Sequence, residues 1–232
     1  MKKLYYICSI ALSCLLLGTN NSYAQRNTMD DVRLFQSFFR DAPIAESPYI
    51  EGTGSFSSEP LGTNLQAGVQ GGIALRRDIE VTTGFYYLNF NPDNFVAETG
   101  IKDIPVYGRY NFLNEETKIS GGAYVTLPVG SESIREKNTN FGIFGALRHP
   151  ASDQVVVTGT LGIDLLDFGL DREASLNLGA GIIYASSEEL SVVSELRIQS
   201  ELDYSALSGG VDYKLKNIGR LRGNLLLGLD EG

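Results

Sequence analysis

Residues 155–165, VVVTGTLGIDL, alternate apolar and polar side chains and decide the class of the fold. A period of two residues is that of a β-strand, whose successive side chains point to opposite faces of a sheet. One face of this segment is aliphatic and the other polar, with Val155, Val157, Leu161, Ile163 and Leu165 opposite Thr158, Thr160 and Asp164. Residues 122–129 and 175–184 show the same alternation. The chain is therefore predicted to be all-β.

Working outward from this stretch, the pattern predicts about eleven strands. They lie near residues 47–57, 63–75, 79–91, 103–113, 117–129, 139–149, 154–166, 173–185, 190–201, 204–215 and 220–230. Lengths of about 10–13 residues exceed the five or six of an average soluble strand and match a strand that crosses a bilayer.

The connections between these strands differ in length. Short turns lie near 76–78, 114–116, 150–153, 186–189 and 217–219, and longer polar loops near 91–102, 130–138 and 167–172, with 200–203 a short exception. Short turns on one side and long loops on the other are typical of outer-membrane barrels. We predict an antiparallel up-and-down transmembrane β-barrel of about twelve strands, the last of them missing from this chain. A soluble barrel or β-sandwich is the alternative.

The expectation of a missing strand follows from the topology of the barrel. The first strand should start in the periplasm, so an eleventh strand would end outside the cell, whereas single-chain bacterial barrels have an even number of strands. Counting residues 32–39 as a strand restores an even number but places both termini outside. We therefore expect the strand near 220–230 to be unpaired or poorly paired with the strand near 47–57.

Charged side chains lie in mid-strand, on the face opposite the aliphatic residues. In a membrane barrel this face lines the lumen. The set is Glu51, Glu80, Arg109, Lys118, Arg148, Asp164, Glu195, Arg197, Asp212, Lys214 and Arg222. We expect five of these to form a charged ladder near the narrowest level, either as structural ion pairs or as a constriction that contacts solute: Glu195, Arg197, Asp212, Lys214 and Arg222.

Length and composition exclude several classes of protein. The 232 residues suffice for one ordinary domain, and 43% hydrophobic residues with 10% aromatics exclude disorder. The only long apolar run is N-terminal, which excludes a helical membrane bundle. A net charge of −9 and a pI of about 4.7 argue against a nucleic-acid partner.

The N-terminus has the pattern of an export signal. Lys2 and Lys3 precede an apolar run, and residues 1–24 end in Ser-Tyr-Ala, so we predict a cleaved signal peptide. A retained anchor, or lipoprotein processing at Cys14, is the alternative. Residues 25–46 are predicted to be a periplasmic lead-in, either a short helix at the barrel mouth or an extended strand, and residues 47–232 the barrel.

The sequence carries little that suggests catalysis. His149 is the single histidine and lies at a predicted short turn, so a Ser-His-acid site is poorly supported. Cys8 and Cys14 both lie in the predicted signal, which leaves the exported chain without a thiol. Phosphate-loop and metal-ligand motifs are absent from the sequence. We expect no enzyme activity, no metal and no cofactor.

The C-terminal half resembles a known family. Asn140-Phe141-Gly142, Asn177-Leu178-Gly179-Ala180-Gly181 and Gly210-Val211-Asp212-Tyr213-Lys214-Leu215 are similar to stretches of the outer-membrane barrels classed as transporters of the phenol meta-degradation pathway. The resemblance covers roughly residues 100–232 and implies a barrel that admits small hydrophobic or aromatic compounds. Members of that family usually continue past Gly-Leu-Asp-Glu-Gly with one more strand that ends in an aromatic residue, whereas this chain stops at Gly232.

Two functions follow from this reasoning. Small luminal residues leave room inside a barrel of intermediate size, which favours a narrow channel or binding lumen for small solutes; these residues are Gly68, Gly72, Ser120, Gly122, Thr158, Thr160, Ser175, Gly179 and Gly181. A structural barrel with a plugged lumen is the alternative. In either case the expected partners are outer-membrane lipid and the outer-membrane assembly machinery, and for a channel also a small-molecule solute.

Overall fold

The computed structural model describes residues 29–59, 62–92, 96–134, 139–167, 172–202, 204–215 and 219–229. The predicted signal peptide, residues 1–24, lies outside the described residues, as do Cys8 and Cys14. No helix in the described ranges is long and apolar enough to cross a membrane.

The described chain forms one antiparallel sheet of twelve strands. Eleven of them are long, and each pairs with the next long strand along the chain. Their bounds are β1 Tyr49–Glu59, β2 Gly62–Arg76, β3 Ile79–Pro92, β4 Glu98–Ile101, β5 Ile104–Asn114, β6 Lys118–Leu127, β7 Phe141–Pro150, β8 Val155–Asp167, β9 Arg172–Ala185, β10 Leu190–Gln199, β11 Tyr204–Leu215 and β12 Gly219–Gly228.

The predicted fold class and the eleven predicted long strands are confirmed. The short strand β4 was not predicted; it pairs with β3 inside the loop that precedes β5. This loop and the one after β6 pack together, since Ile101 N donates to Ser131 Oγ (2.8 Å) and Gly130 N donates to Asp103 Oδ1 (2.9 Å). We call this end of the sheet the long-loop end and the opposite end the short-turn end.

Burial in the sheet is inverted relative to a soluble protein. Along β7 the side chains alternate, with Ile143 64% exposed on the convex face and Phe144 6% exposed on the concave face. Leu161 and Ile163 of β8 also face outward, whereas Glu80 and Asp212 on the concave face are fully buried. A soluble barrel or sandwich would expose its charges and bury its leucines, so this arrangement excludes that alternative.

The sheet curls until its two edge strands approach each other without pairing. Among the described residues no ladder of hydrogen bonds joins β1 and β12. Side chains span the gap instead, because Arg222 Nη1 of β12 donates to Glu51 of β1 at 2.9 and 3.0 Å. A cavity of about 800 Å³ lies at this seam, lined in part by Glu51, Lys214 and Arg222. In the described residues β1 and β12 are therefore unpaired, as the sequence predicted.

The inner segment, residues 29–46, lies within the curl of the sheet. Met29 packs near Val156 at the start of β8, and Arg40 binds Asp164 near the end of that strand. Over residues 30–46 its regular structure is a single turn of 3₁₀ helix, Phe38–Arg40. Over residues 30–46 neither a helix of several turns nor an extended strand is formed, because contacts with the concave face determine the path of the chain. Residues 25–28 of the predicted lead-in lie outside the described residues.

Candidate functional site

The concave face collects the charged residues singled out in the sequence. All eleven lie on strand positions whose side chains point inward: Glu51, Glu80, Arg109, Lys118, Arg148, Asp164, Glu195, Arg197, Asp212, Lys214 and Arg222. Several are almost wholly buried, which requires that they be paired or hydrogen-bonded. Their partners divide into two groups, those in the wall of the sheet and those in the inner segment.

The first group consists of ion pairs within the wall. Glu80 and Arg109 lie directly opposite each other on β3 and β5, and Arg109 Nε donates to Glu80 Oε2 at 2.8 Å. Asp212 binds Arg220 (2.5 Å) and Arg222 (3.1 Å). These pairs neutralise charge between neighbouring strands.

The second group joins the wall to the inner segment through charges. Arg40 Nη2 lies 2.8 Å from Asp164 Oδ1, and Arg148 forms an ion pair with Asp41. Burial lowers the pKa of Arg40, but the neighbouring Tyr107 and Asp164 outweigh it and leave that pKa above its ordinary value. Arg40 therefore stays charged, and the inner segment presents one cation, Arg40, and two anions, Asp30 and Asp41, to opposite charges of the wall.

Arginines of the wall also cap backbone carbonyls of the inner segment. Arg148 donates to the carbonyl oxygens of Met29 and Val32, both at 3.0 Å. Arg222 donates to the carbonyl oxygen of Leu34 at 3.2 Å, and also to that of Arg33. An irregular segment has carbonyls that no ladder satisfies, and these guanidinium groups supply the missing donors.

Gln36 is the most heavily bonded residue of the inner segment. Its backbone N donates to Glu195 Oε2 at 2.8 Å, and its side-chain amide donates to Ser208 Oγ at 3.0 Å. Its side-chain oxygen accepts from the hydroxyl of Tyr204 at 3.0 Å, and its carbonyl accepts from Arg197 at 3.2 Å. One residue thus binds both β10 and β11.

These contacts correct the expected ladder of Glu195, Arg197, Asp212, Lys214 and Arg222. Asp212 and Arg222 do pair with each other, but Glu195 and Arg197 bind Gln36 of the inner segment. Arg197 also donates to Asn177 at 3.3 Å. Lys214 lies at the seam cavity and forms no ion pair with another described residue. The five residues do not form one continuous ladder, because the inner segment offers closer partners to Glu195 and Arg197 than the neighbouring strands do.

Aromatic rings form a row along one side of the interior. Phe39 stacks on Tyr107, and Tyr107 stacks on Tyr124, with ring centroids 4.9 Å apart in both pairs. Arg40 lies over the Tyr124 ring at 4.9 Å, within cation–π distance. The half-buried rings of Phe39 and Tyr107 present apolar surface to the interior.

The luminal glycines do not leave the free space that the sequence suggested. An added Cβ at Gly122 would crowd the Phe144 ring, and one at Gly179 would lie 3.3 Å from Ser37 Oγ. At Gly181 it would lie 3.5 Å from Leu34, and at Gly210 2.7 Å from Phe35. The room that these glycines make is filled by a neighbouring ring or by the inner segment.

A protein of known structure shares this architecture. No protein-family model matches the sequence, and no curated protein matches it. The structure is similar to the crystal structure of an outer membrane channel from Pseudomonas putida F1, with a TM-score of 0.64. The fold is that of an outer-membrane β-barrel. The similarity covers 82% of this chain and 91% of that chain at 11% sequence identity, so it concerns the fold alone.

His149 lies at the short-turn end, where its Nδ1 is 2.7 Å from Thr117 Oγ1 at an exposed position. No group of three or more His, Cys, Asp or Glu side chains in the described ranges is arranged to hold a metal ion. The interior contains paired charges, a row of aromatic rings and the inner segment.

Proposed function

We propose that the protein is an outer-membrane channel whose narrow lumen passes or binds small solutes, hydrophobic and aromatic ones among them. The observation that carries the proposal is the inverted burial of the sheet. Leucines and isoleucines cover its outside, while Glu80, Asp164 and Asp212 are buried inside. An apolar outside suits lipid, and a polar interior suits a water-filled or solute-filled path.

The cellular setting follows from the same proposal. The predicted signal peptide would export the chain, and the outer-membrane assembly machinery would insert it into outer-membrane lipid of a Gram-negative cell. The acidic composition fits a partner other than nucleic acid. No cofactor or catalytic group is required for passage of a solute through a porin-like transporter.

The preference for aromatic solutes is supported by the ring row. Phe39 and Tyr107 offer ring faces inside the lumen, on which a flat solute can stack in an offset arrangement. The resemblance of residues 100–232 to transporters of the phenol meta-degradation pathway points to the same class of solute. The inner segment narrows the path, which limits passage to small molecules.

The experiment uses the folded full-length exported chain in planar bilayers and in liposomes. We expect discrete ion conductance, and, after subtraction of the rates in protein-free liposomes, uptake of phenol faster than that of glucose. Changing Tyr107→Ala should lower the ratio of phenol to glucose uptake, whereas Phe112→Ala on the outer face of the same strand should leave it unchanged. A folded protein without conductance would indicate a plugged structural barrel, and an unchanged ratio in Tyr107→Ala would remove the aromatic preference.

A further inference from the structure

The two halves of the inner segment are held by different forces. Met29, Val32 and Leu34 are buried in an apolar cluster with Val156, Ile183, Ala185 and Val193. Residues 35–42 add hydrogen bonds, ion pairs and ring contacts with the wall, while Phe35 packs against the apolar cluster and Phe38 and Ala42 are buried. The first half is anchored mainly by the hydrophobic effect, whereas the second half also depends on bonds that water can replace.

Both ends of the segment lie at the short-turn end of the sheet. Asp30 pairs with Lys118, the first residue of β6, at 3.1 Å. Tyr49, where β1 begins, lies opposite Gly72 near the short turn that follows β2. A loop that enters and leaves at the same end can withdraw from the interior without threading one part of the chain past another.

Glycines of the wall lie opposite three residues of the 35–42 stretch. Gly162 faces Arg40, Gly179 faces Ser37 and Gly210 faces Phe35. Glycine at these positions allows close approach of the segment and places no side chain in the way of its withdrawal. Polar bonds of Gln36, Arg40 and Asp41 with other wall side chains hold the stretch in place.

Most wall charges keep a partner in the wall if residues 35–42 leave. Arg109 keeps Glu80, and Arg222 keeps Glu51 and Asp212. Arg148 and Asp164 are different, because their ionic partners among the described residues, Asp41 and Arg40, belong to the 35–42 stretch. The electrostatic cost of withdrawal is therefore concentrated in two ion pairs.

We propose that residues 35–42 are a movable gate inside the lumen, hinged at Leu34 and Pro43 and latched by the Asp41–Arg148 and Arg40–Asp164 ion pairs. This inference rests on the proposed channel function. With the gate seated the path is at its narrowest, and withdrawal toward the short-turn end opens the space beside β8, β9 and β11.

A disulfide tests whether the gate moves. An added Cβ at Gly179 lies 3.3 Å from Ser37 Oγ, so S37C/G179C brings two sulfurs within bonding reach. Residues 25–232 contain no other cysteine. We expect conductance of the oxidised variant to rise at least about tenfold on reduction, as a locked gate is released. The single variants S37C and G179C are controls; G179C also shows whether β9 tolerates a side chain beside Thr160.

The latch is tested separately with D41N, which removes the charge and keeps the size. Weakening one charge-assisted bond should raise the open fraction about tenfold. D31N, at an exposed carboxylate of the same segment, should behave like the unmodified protein. Equal, nonzero conductance of S37C/G179C before and after reduction would show a static constriction and overturn the gate while the channel stands. Absence of conductance in every variant would overturn the channel as well.

Discussion

Replacing Glu80 by alanine should destabilise the barrel by about 4 kcal/mol, because it leaves a guanidinium buried without its carboxylate. The side chains of Glu80 and Arg109 are both 0% exposed. Two nitrogens of Arg109 bond to that carboxylate, and the third donates to the carbonyl oxygen of Asp41 at 2.6 Å. Two charge-assisted bonds at about 1.5–3 kcal/mol each sum to about 3–6 kcal/mol, which overlaps the cost of breaking a buried pair, about 3–5 kcal/mol.

The assay is reversible urea unfolding in detergent micelles, followed by far-ultraviolet circular dichroism because the chain has no tryptophan. Arg76→Ala is the control, since its pair with Asp78 (3.2 Å) is exposed and should contribute less than about 1 kcal/mol. The double variant E80L/R109M should be more stable than E80L alone, because it leaves no unpaired charge. A loss below about 1 kcal/mol for Glu80→Ala, or a double variant no better than the single one, would refute the reasoning.

Two further predictions concern the lumen and the membrane orientation. Arg197→Ala should change ion selectivity or conductance more than Ile198→Ala, because Arg197 faces inward and Ile198 faces outward; equal effects would count against this assignment. Single cysteines at Glu98 and Ser133, which share the long-loop end, should react with an impermeant thiol reagent in intact cells, and one at Glu115 at the short-turn end should not. Labelling at all three positions would contradict short turns in the periplasm.

The strands could be predicted because their signal is local. Each long strand has a period of two, and the face of every residue follows from its neighbours two positions away. Residues 154–166 were expected as a strand, and β8 spans Val155–Asp167. The strand β4 has only four residues, too few for alternation to show, and its pairing with β3 defines it.

The path of the inner segment could not be predicted because its contacts are distant in sequence. Gln36 and Glu195 are 159 positions apart, and nothing near Gln36 indicates that pairing. The spacing of Val32, Phe35 and Phe39 resembles a helical face, but bonds with the wall override that preference. One signal was available, since Gly179 and Gly210 lie on the polar face of strands, where glycine marks the close approach of another backbone.

The seam between β1 and β12 shows in which direction a further strand would have to run to pair with both edges. Each long strand is antiparallel to the next, so with eleven long strands β1 and β12 run in the same direction, from the short-turn end to the long-loop end. They therefore cannot form an antiparallel ladder with each other, and the Arg222–Glu51 ion pair leaves their backbone groups open. In lipid each open group costs several kcal/mol. One further strand stays a prediction: running from the long-loop end to the short-turn end, it would be antiparallel to both edges and would close the ring.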